Sequence, residues 1–202
     1  MKNAKRVESA VLRVGDGRGF CVKAQGARIV VSAAHCLPHF PPCHGMAYLQ
    51  ERTYPKLLAP LGSEPTVWAE CLFADPVADI AVLGCPDNQE LFEQAENYEA
   101  MVESVAPLKI ADCPPEKGRA WLLSLDGEWV ECAVKVINDG SILIWDEAQL
   151  IAGGMSGSPI ISESGAAIGA VCLGGSSPSK NPRLVRDLPN RFLRPNRKRL
   201  PT

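Results

Sequence analysis

Gly153-Gly154-Met155-Ser156-Gly157-Ser158-Pro159 sets one serine among small residues. A tight Gly-rich turn can aim successive backbone N–H groups at one point, which is the geometry that holds a developing oxyanion at about 3 Å. Serine is a weak nucleophile on its own. It needs a neighbouring base, and the base needs a carboxylate that fixes its tautomer. Upstream, Ile29-Val30-Val31-Ser32-Ala33-Ala34-His35-Cys36 ends a strand-like apolar run on a histidine, and Ala78-Asp79-Ile80-Ala81-Val82-Leu83 opens another with an aspartate. His35 and Asp79 are thereby expected at the ends of rigid strands, as candidate base and orienting acid for Ser156.

The rest of the chain suits an all-β fold. Among 202 residues, 17 Gly and 17 Pro interrupt the sequence too often for a long-helix bundle, while 46% hydrophobic and 22% charged residues exclude disorder, collagen and coiled coil. Seven β-like runs are expected before residue 84, at 11–14, 20–23, 28–32, 46–49, 56–59, 66–73 and 80–83. About five more follow residue 118, with Asp126-Gly127 and Asn138-Asp139-Gly140 as tight turns. Between them Leu91, Ala95, Tyr98 and Val102 recur at helical spacing, and Asp87 with Glu90 marks a capping-box start. The expected organisation is a β unit over 1–83, a linker with one amphipathic helix over 84–118, a second β unit over 119–179 and a basic tail over 180–202.

The formal charge of −2 is uneven, since the tail carries +7 and the rest −9. Without interleaved aromatics or a nucleic-acid module, the tail reads as a solvated terminus and not as a nucleic-acid site. A short helical turn over Leu184, Val185, Leu188 and Phe192, interrupted at Pro189, is expected to pack on the second unit. No run approaches the length of a membrane span, and no export signal follows Lys2, Lys5 and Arg6, so the expected compartment is the cytoplasm. The eight cysteines are then buried thiols. His35, Cys36, His39, Cys43 and His44 lie close in sequence, but their spacing matches no common zinc site and no metal is expected.

In the order His35, Asp79, Ser156, the segments Ser32-Ala33-Ala34-His35-Cys36, Asp79-Ile80-Ala81-Val82-Leu83 and Gly154-Met155-Ser156-Gly157-Ser158-Pro159 resemble the three catalytic blocks of the chymotrypsin-like serine endopeptidases. The resemblance spans about residues 9 to 175, and Gly17-Arg18-Gly19-Phe20 points to bacterial members. It implies two six-stranded antiparallel β-barrels with the active site between them, and no cofactor. It also implies an oxyanion hole from the Gly154 and Ser156 amides, and substrate contacts at Leu150 and at the strand edge Cys172-Leu173-Gly174. Asp79 has the family context that Asp75, in an Asp-Pro turn, lacks. Ser158, the other hydroxyl of the loop, is by resemblance a turn residue. Cys21 and Cys36 match a disulfide of many members, with one residue fewer between them; two thiols are expected in a reducing compartment.

Departures from the animal digestive members carry information. The acid that pairs with a new N-terminus after clipping is replaced by Met155, so that route of activation is not expected. Leu150 replaces an acidic pocket floor, and an apolar floor cannot pair Lys or Arg, so a small or medium apolar P1 residue is expected. The chain order rules out an α/β-hydrolase, because every histidine precedes Ser156. A subtilisin order needs an acid before the histidine. Among the aspartates only Asp16 stands there, and the alternating α/β pattern is missing. Two further readings are a catalytically silent relative that binds peptides or partners through the same cleft, and a basic-tailed adaptor. The expected partners are a protein or peptide substrate and, for signal-less bacterial members, a sensor protein that controls activity.

Overall fold

Strands β1 (Val11–Val14), β2 (Gly17–Ala24), β3 (Ala27–Ser32), β4 (Thr53–Pro60), β5 (Val67–Asp75) and β6 (Ile80–Gly84) close into an antiparallel barrel in the order β1-β2-β3-β6-β5-β4. The computed structural model describes residues 8–42, 49–112, 117–145, 151–172 and 179–193. The expected strand at 46–49 falls on undescribed residues except Leu49, which opens a 3-10 turn, Leu49–Arg52.

The near-continuous apolar runs of β2, β3 and β6 have a direct cause. Cys21, Val30, Ala81 and Leu83 fill the barrel, whereas the alternating Phe20, Val22, Ile29, Val31, Ile80 and Val82 face outward into a second core. Strands buried on both faces lose the polar half of the usual alternation. That outer core is shared with Ile161, Ala167 and Ala170 of the second unit and with Leu184, Leu188 and Phe192.

The second unit contains β7 (Lys117–Leu123), β8 (Trp129–Val136), β9 (Ile142–Trp145), β10 (Pro159–Ser162), β11 (Ala167–Ala170) and β12 (Ser179–Asn181), ordered β11-β10-β7-β8-β9-β12. An antiparallel bridge between Gly169 and Arg183, just beyond β12, returns the last strand toward β11, so this barrel is nearly closed. Gly127 and Gly140 adopt φ of 83° and 81° in the two expected turns. The fold is thus two six-stranded antiparallel barrels, one closed and one nearly closed.

Helix α1 (Phe92–Glu103) buries Ala95, Tyr98, Met101 and Val102. It docks on the first barrel, where the Tyr98 hydroxyl donates to the Arg28 and Leu83 carbonyls, and it does not bridge the halves. The bridging is done by the extended chain that follows. Leu108 N donates to Cys21 O at 2.8 Å, and Ala167 N donates to Lys109 O at 2.8 Å. Asp87 caps a turn through Gln89 N instead of the helix, whose N-cap position is Leu91.

The segment from Lys180 is not simply solvated. It contains part of β12 and two short helices, α2 (Leu184–Asp187) and α3 (Asn190–Leu193). Lys180, Arg183 and Arg186 pair with Asp139, Asp112 and Asp187. The apolar residues of these turns pack on the first barrel as well as the second: the Phe192 ring lies 6.3 Å from that of Phe73, and Arg191 donates to Leu72 O. Phe192→Ala is therefore expected to lower the free energy of unfolding by about 3 kcal/mol, measured by urea denaturation.

Candidate active site

The register of two strands brings His35 to Asp79. β3 and β6 are antiparallel neighbours with Ser32 opposite Ala81, so the chain leaving β3 and the chain entering β6 meet at one end of the barrel. A 3-10 turn, Ala34–Cys36, then places His35 beside Asp79. Asp79 Oδ2 lies 2.7 Å from His35 Nδ1, and Oδ1 accepts the His35 backbone N–H at 3.0 Å. Both carboxylate oxygens thereby fix one residue, its ring and its backbone together. The carboxylate can only accept, so Nδ1 carries the proton and Nε2 keeps its lone pair. Asp79 has φ of 53°, a left-handed conformation that Asp tolerates better than most residues. Asp75, the competing acid, is occupied elsewhere: its Oδ1 accepts from the Val77 and Ala78 amides.

Ser156 comes from the loop before β10 and lines a cleft of about 460 Å³ together with His35, Cys36, Gly154 and the Gly15–Gly17 turn. Its hydroxyl is buried and makes no hydrogen bond, to His35 or to any other described residue. Its carbonyl is held firmly, by Arg18 N at 2.7 Å and by the Cys36 thiol at 3.7 Å. Gly157 donates to Val171 O at 2.7 Å, and the neighbouring Ser158 hydroxyl is buried.

Met155 shows how the loop is ordered without an acid at that position. Its side chain is buried in the second barrel, and its sulfur accepts the Ala152 N–H at 3.4 Å, while its own N–H returns to Ala152 O at 3.1 Å. Gly154 takes φ of 91°, and among the described residues neither its amide nor that of Ser156 donates to a backbone carbonyl. Both residues line the cleft.

Cysteines surround this site as protonated donors. Burial pushes the Cys36 thiol up to about 11, with the Ser32 hydrogen bond opposing and the Asp79 charge reinforcing the shift. Burial raises Cys172 further, aided by Asp79, whose carbonyl accepts the thiol at 3.5 Å. The Cys172 backbone N–H donates to the buried Asn181 side chain at 2.8 Å. Cys21 and Cys36 are both free thiols in the core of the first barrel. Leu150, Leu173 and Gly174 lie outside the described residues, as do Cys43 and His44. His39 stacks its ring on Tyr54 at 4.9 Å.

Sequence inspection missed Arg18. Its side chain is buried and donates to the Leu123 and Ser124 carbonyls at 2.7 and 3.0 Å, and burial lowers its pKa. Its backbone carbonyl accepts the Ser32 hydroxyl at 2.7 Å. The signal was present in Gly17-Arg18-Gly19, where a charge lies between two residues that permit close approach. A Cβ on Gly17 would lie 2.5 Å from Cys36 Sγ, and one on Gly157 1.8 Å from Arg18 O.

No protein-family model matches the sequence, and no curated protein matches it. Solved structures similar in fold include the Rv3671c protease in an inactive form, at 15% identity over 88% of this chain and 84% of that one, with a TM-score of 0.51. Another is a chain from the structure titled for aromatic interactions that drive coupled folding and binding of the disordered Sesbania mosaic virus VPg protein. It is 18% identical over 87% of this chain and 84% of that one, with a TM-score of 0.53. With the two barrels described above, the chain has the chymotrypsin-like two-barrel fold.

Because Gly157 has φ of 81° and faces Arg18 O, Gly157→Ala is expected to displace the Ser156 loop and destabilise the protein by about 3 kcal/mol or more, read from the urea midpoint.

Proposed function

We propose that this protein is a serine endopeptidase in which Ser156 attacks a peptide carbonyl, His35 Nε2 takes its proton and Asp79 stabilises the resulting imidazolium. The observation that carries the reading is the two-point Asp79–His35 contact on a cleft shared with Ser156, whose hydroxyl has no competing hydrogen bond to break before it meets the imidazole. Catalytic hydrogen bonds of this kind often close only when substrate is bound. The amides of Gly154 and Ser156 receive the carbonyl oxygen as it becomes an oxyanion. Collapse expels the amine, which takes the proton from His35, and water then hydrolyses the acyl-enzyme by the same route.

The substrate is a protein or peptide, bound along Cys172-Leu173-Gly174, with a small or medium apolar P1 side chain against Leu150. No metal or organic cofactor enters the mechanism. Function in a reducing cytoplasm would keep Cys21 and Cys36 as thiols. A sensor protein that controls activity completes the proposal, with Met155 in place of the acid that clipping would engage.

A second reading, a silent peptide-binding relative, draws on the buried and unbonded Ser156 hydroxyl. A fluorophosphonate probe separates the two, since the enzyme is labelled and loses labelling in Ser156→Ala, while a silent relative is never labelled. Asp79→Asn, which keeps a residue tolerant of the left-handed backbone, is expected to lower kcat by about three to four orders of magnitude in peptide-hydrolysis assays, with Asp75→Asn close to wild type. Cleavage-site profiling of a peptide library is expected to show Ala, Val or similar residues at P1. Dominance by Arg and Lys would contradict an apolar floor.

A further inference from the structure

Asp16 is the one carboxylate lining the cleft that holds Ser156 and His35. It is exposed, its charge bears on the neighbouring Cys36 thiol and helps to hold that thiol protonated, and among the described residues no salt bridge is formed by it. The other acids near the site are committed, Asp79 to His35 and Asp75 to two backbone amides. The nearest cation in sequence, Arg18, is turned away onto the Leu123 and Ser124 carbonyls.

The turn that carries Asp16 is held rigidly. Gly15 takes φ of 54°, donates to Leu57 O at 2.8 Å and accepts from Arg13 Nε at 3.1 Å. A Cβ on Gly15 would lie 2.6 Å from Cys36 O, and one on Gly17 2.8 Å from Ser156 O. The backbone on either side of Asp16 is therefore pinned against the residue that follows the proposed base and against the proposed nucleophile. A carboxylate carried on so constrained a backbone stays at the cleft, where it can meet an incoming cation.

Position decides which part of a substrate it meets. Cys172, on the proposed acyl-side strand edge, bonds to Asp79 and lines a separate cleft of about 420 Å³. Asp16 shares the other cleft, with His35, Ser156, Gly154, Leu37 and Pro38, and Cys172 does not line it. Leu37 and Pro38 supply an apolar wall along which the methylene stem of Lys or Arg can lie while its charged head reaches Asp16.

We infer that Asp16 selects a Lys or Arg side chain on the leaving-group side of the scissile bond, within the first two residues after it. This rests on the proteolytic reading above and adds a substrate class to it. The preference is opposite in character to the apolar P1 pocket, so a preferred cleavage sequence joins a small apolar residue to a basic one.

The test uses internally quenched peptides that share one acyl side and carry Arg, Lys, Gln or Glu in the two leaving-side positions. Wild-type protein is expected to show kcat/KM about two- to five-fold higher for Arg and Lys than for Gln, the range of a solvent-screened ion pair, with the advantage shrinking as salt rises. Asp16→Asn should bring the ratio of Arg to Gln kcat/KM close to one, and Asp16→Lys should invert the preference in favour of Glu. An equal rate for all peptides in wild type, or an Arg preference that survives Asp16→Asn, would overturn the inference. Fluorophosphonate labelling, which involves no leaving-side residue, is run in parallel. Labelled wild type without the preference refutes the role of Asp16 alone, whereas unlabelled wild type refutes it together with the proteolytic reading.

Discussion

The site depends on a 2.7 Å hydrogen bond from Arg18 N to Ser156 O. It joins the start of β2 in one barrel to the Ser156 loop of the other, and so ties the two sides of the cleft together. Such a bond requires two backbones to approach without side chains between them, which is why glycines stand at 17 and 157. The guanidinium of Arg18 completes the joint by filling the carbonyl acceptors at the end of β7. Burying a charge without a carboxylate is costly unless its donors are satisfied, and here backbone dipoles take the place of a counterion.

Around this joint the three proposed catalytic side chains have different degrees of freedom. Asp79 and His35 are locked to each other at the ends of adjacent antiparallel strands, so their geometry is inherited from barrel register. Ser156 is held by its carbonyl but not by its hydroxyl. The buried thiols of Cys36 and Cys172 act as weak donors to the backbone of Ser156 and Asp79, and because burial raises their pKa they remain donors at neutral pH.

Much of this was legible in the sequence where a local signal existed. The runs at 29–31 and 80–83 announced strands because burial on both faces removes polar positions, and Asp126-Gly127 announced a turn because glycine accepts positive φ. Arg18 was not legible as a buried residue, since its partners lie 105 and 106 residues later in the chain. The strand Ser179–Asn181 has no apolar pattern. Pairing with β9 and the buried Asn181 amide hold it there. At Asp87 a real capping signal was used by a turn one step earlier than the helix, a competition that local spacing does not resolve. Asp16 had been noticed only as an acid preceding His35, because its exposure beside Ser156 exists only after the barrels meet.

The outward face of the first barrel is covered by residues that follow it by some eighty or more positions in the chain. Phe20, Val31 and Val82 are complete by residue 84, yet their partners include Ile161, Leu184, Leu188 and Phe192. During synthesis the first barrel therefore emerges with one apolar wall unpartnered, and its joint with Ser156 cannot form until the second unit follows. Whatever chemistry the cleft performs thus waits on the second barrel, because Ser156 follows His35 by about 120 positions.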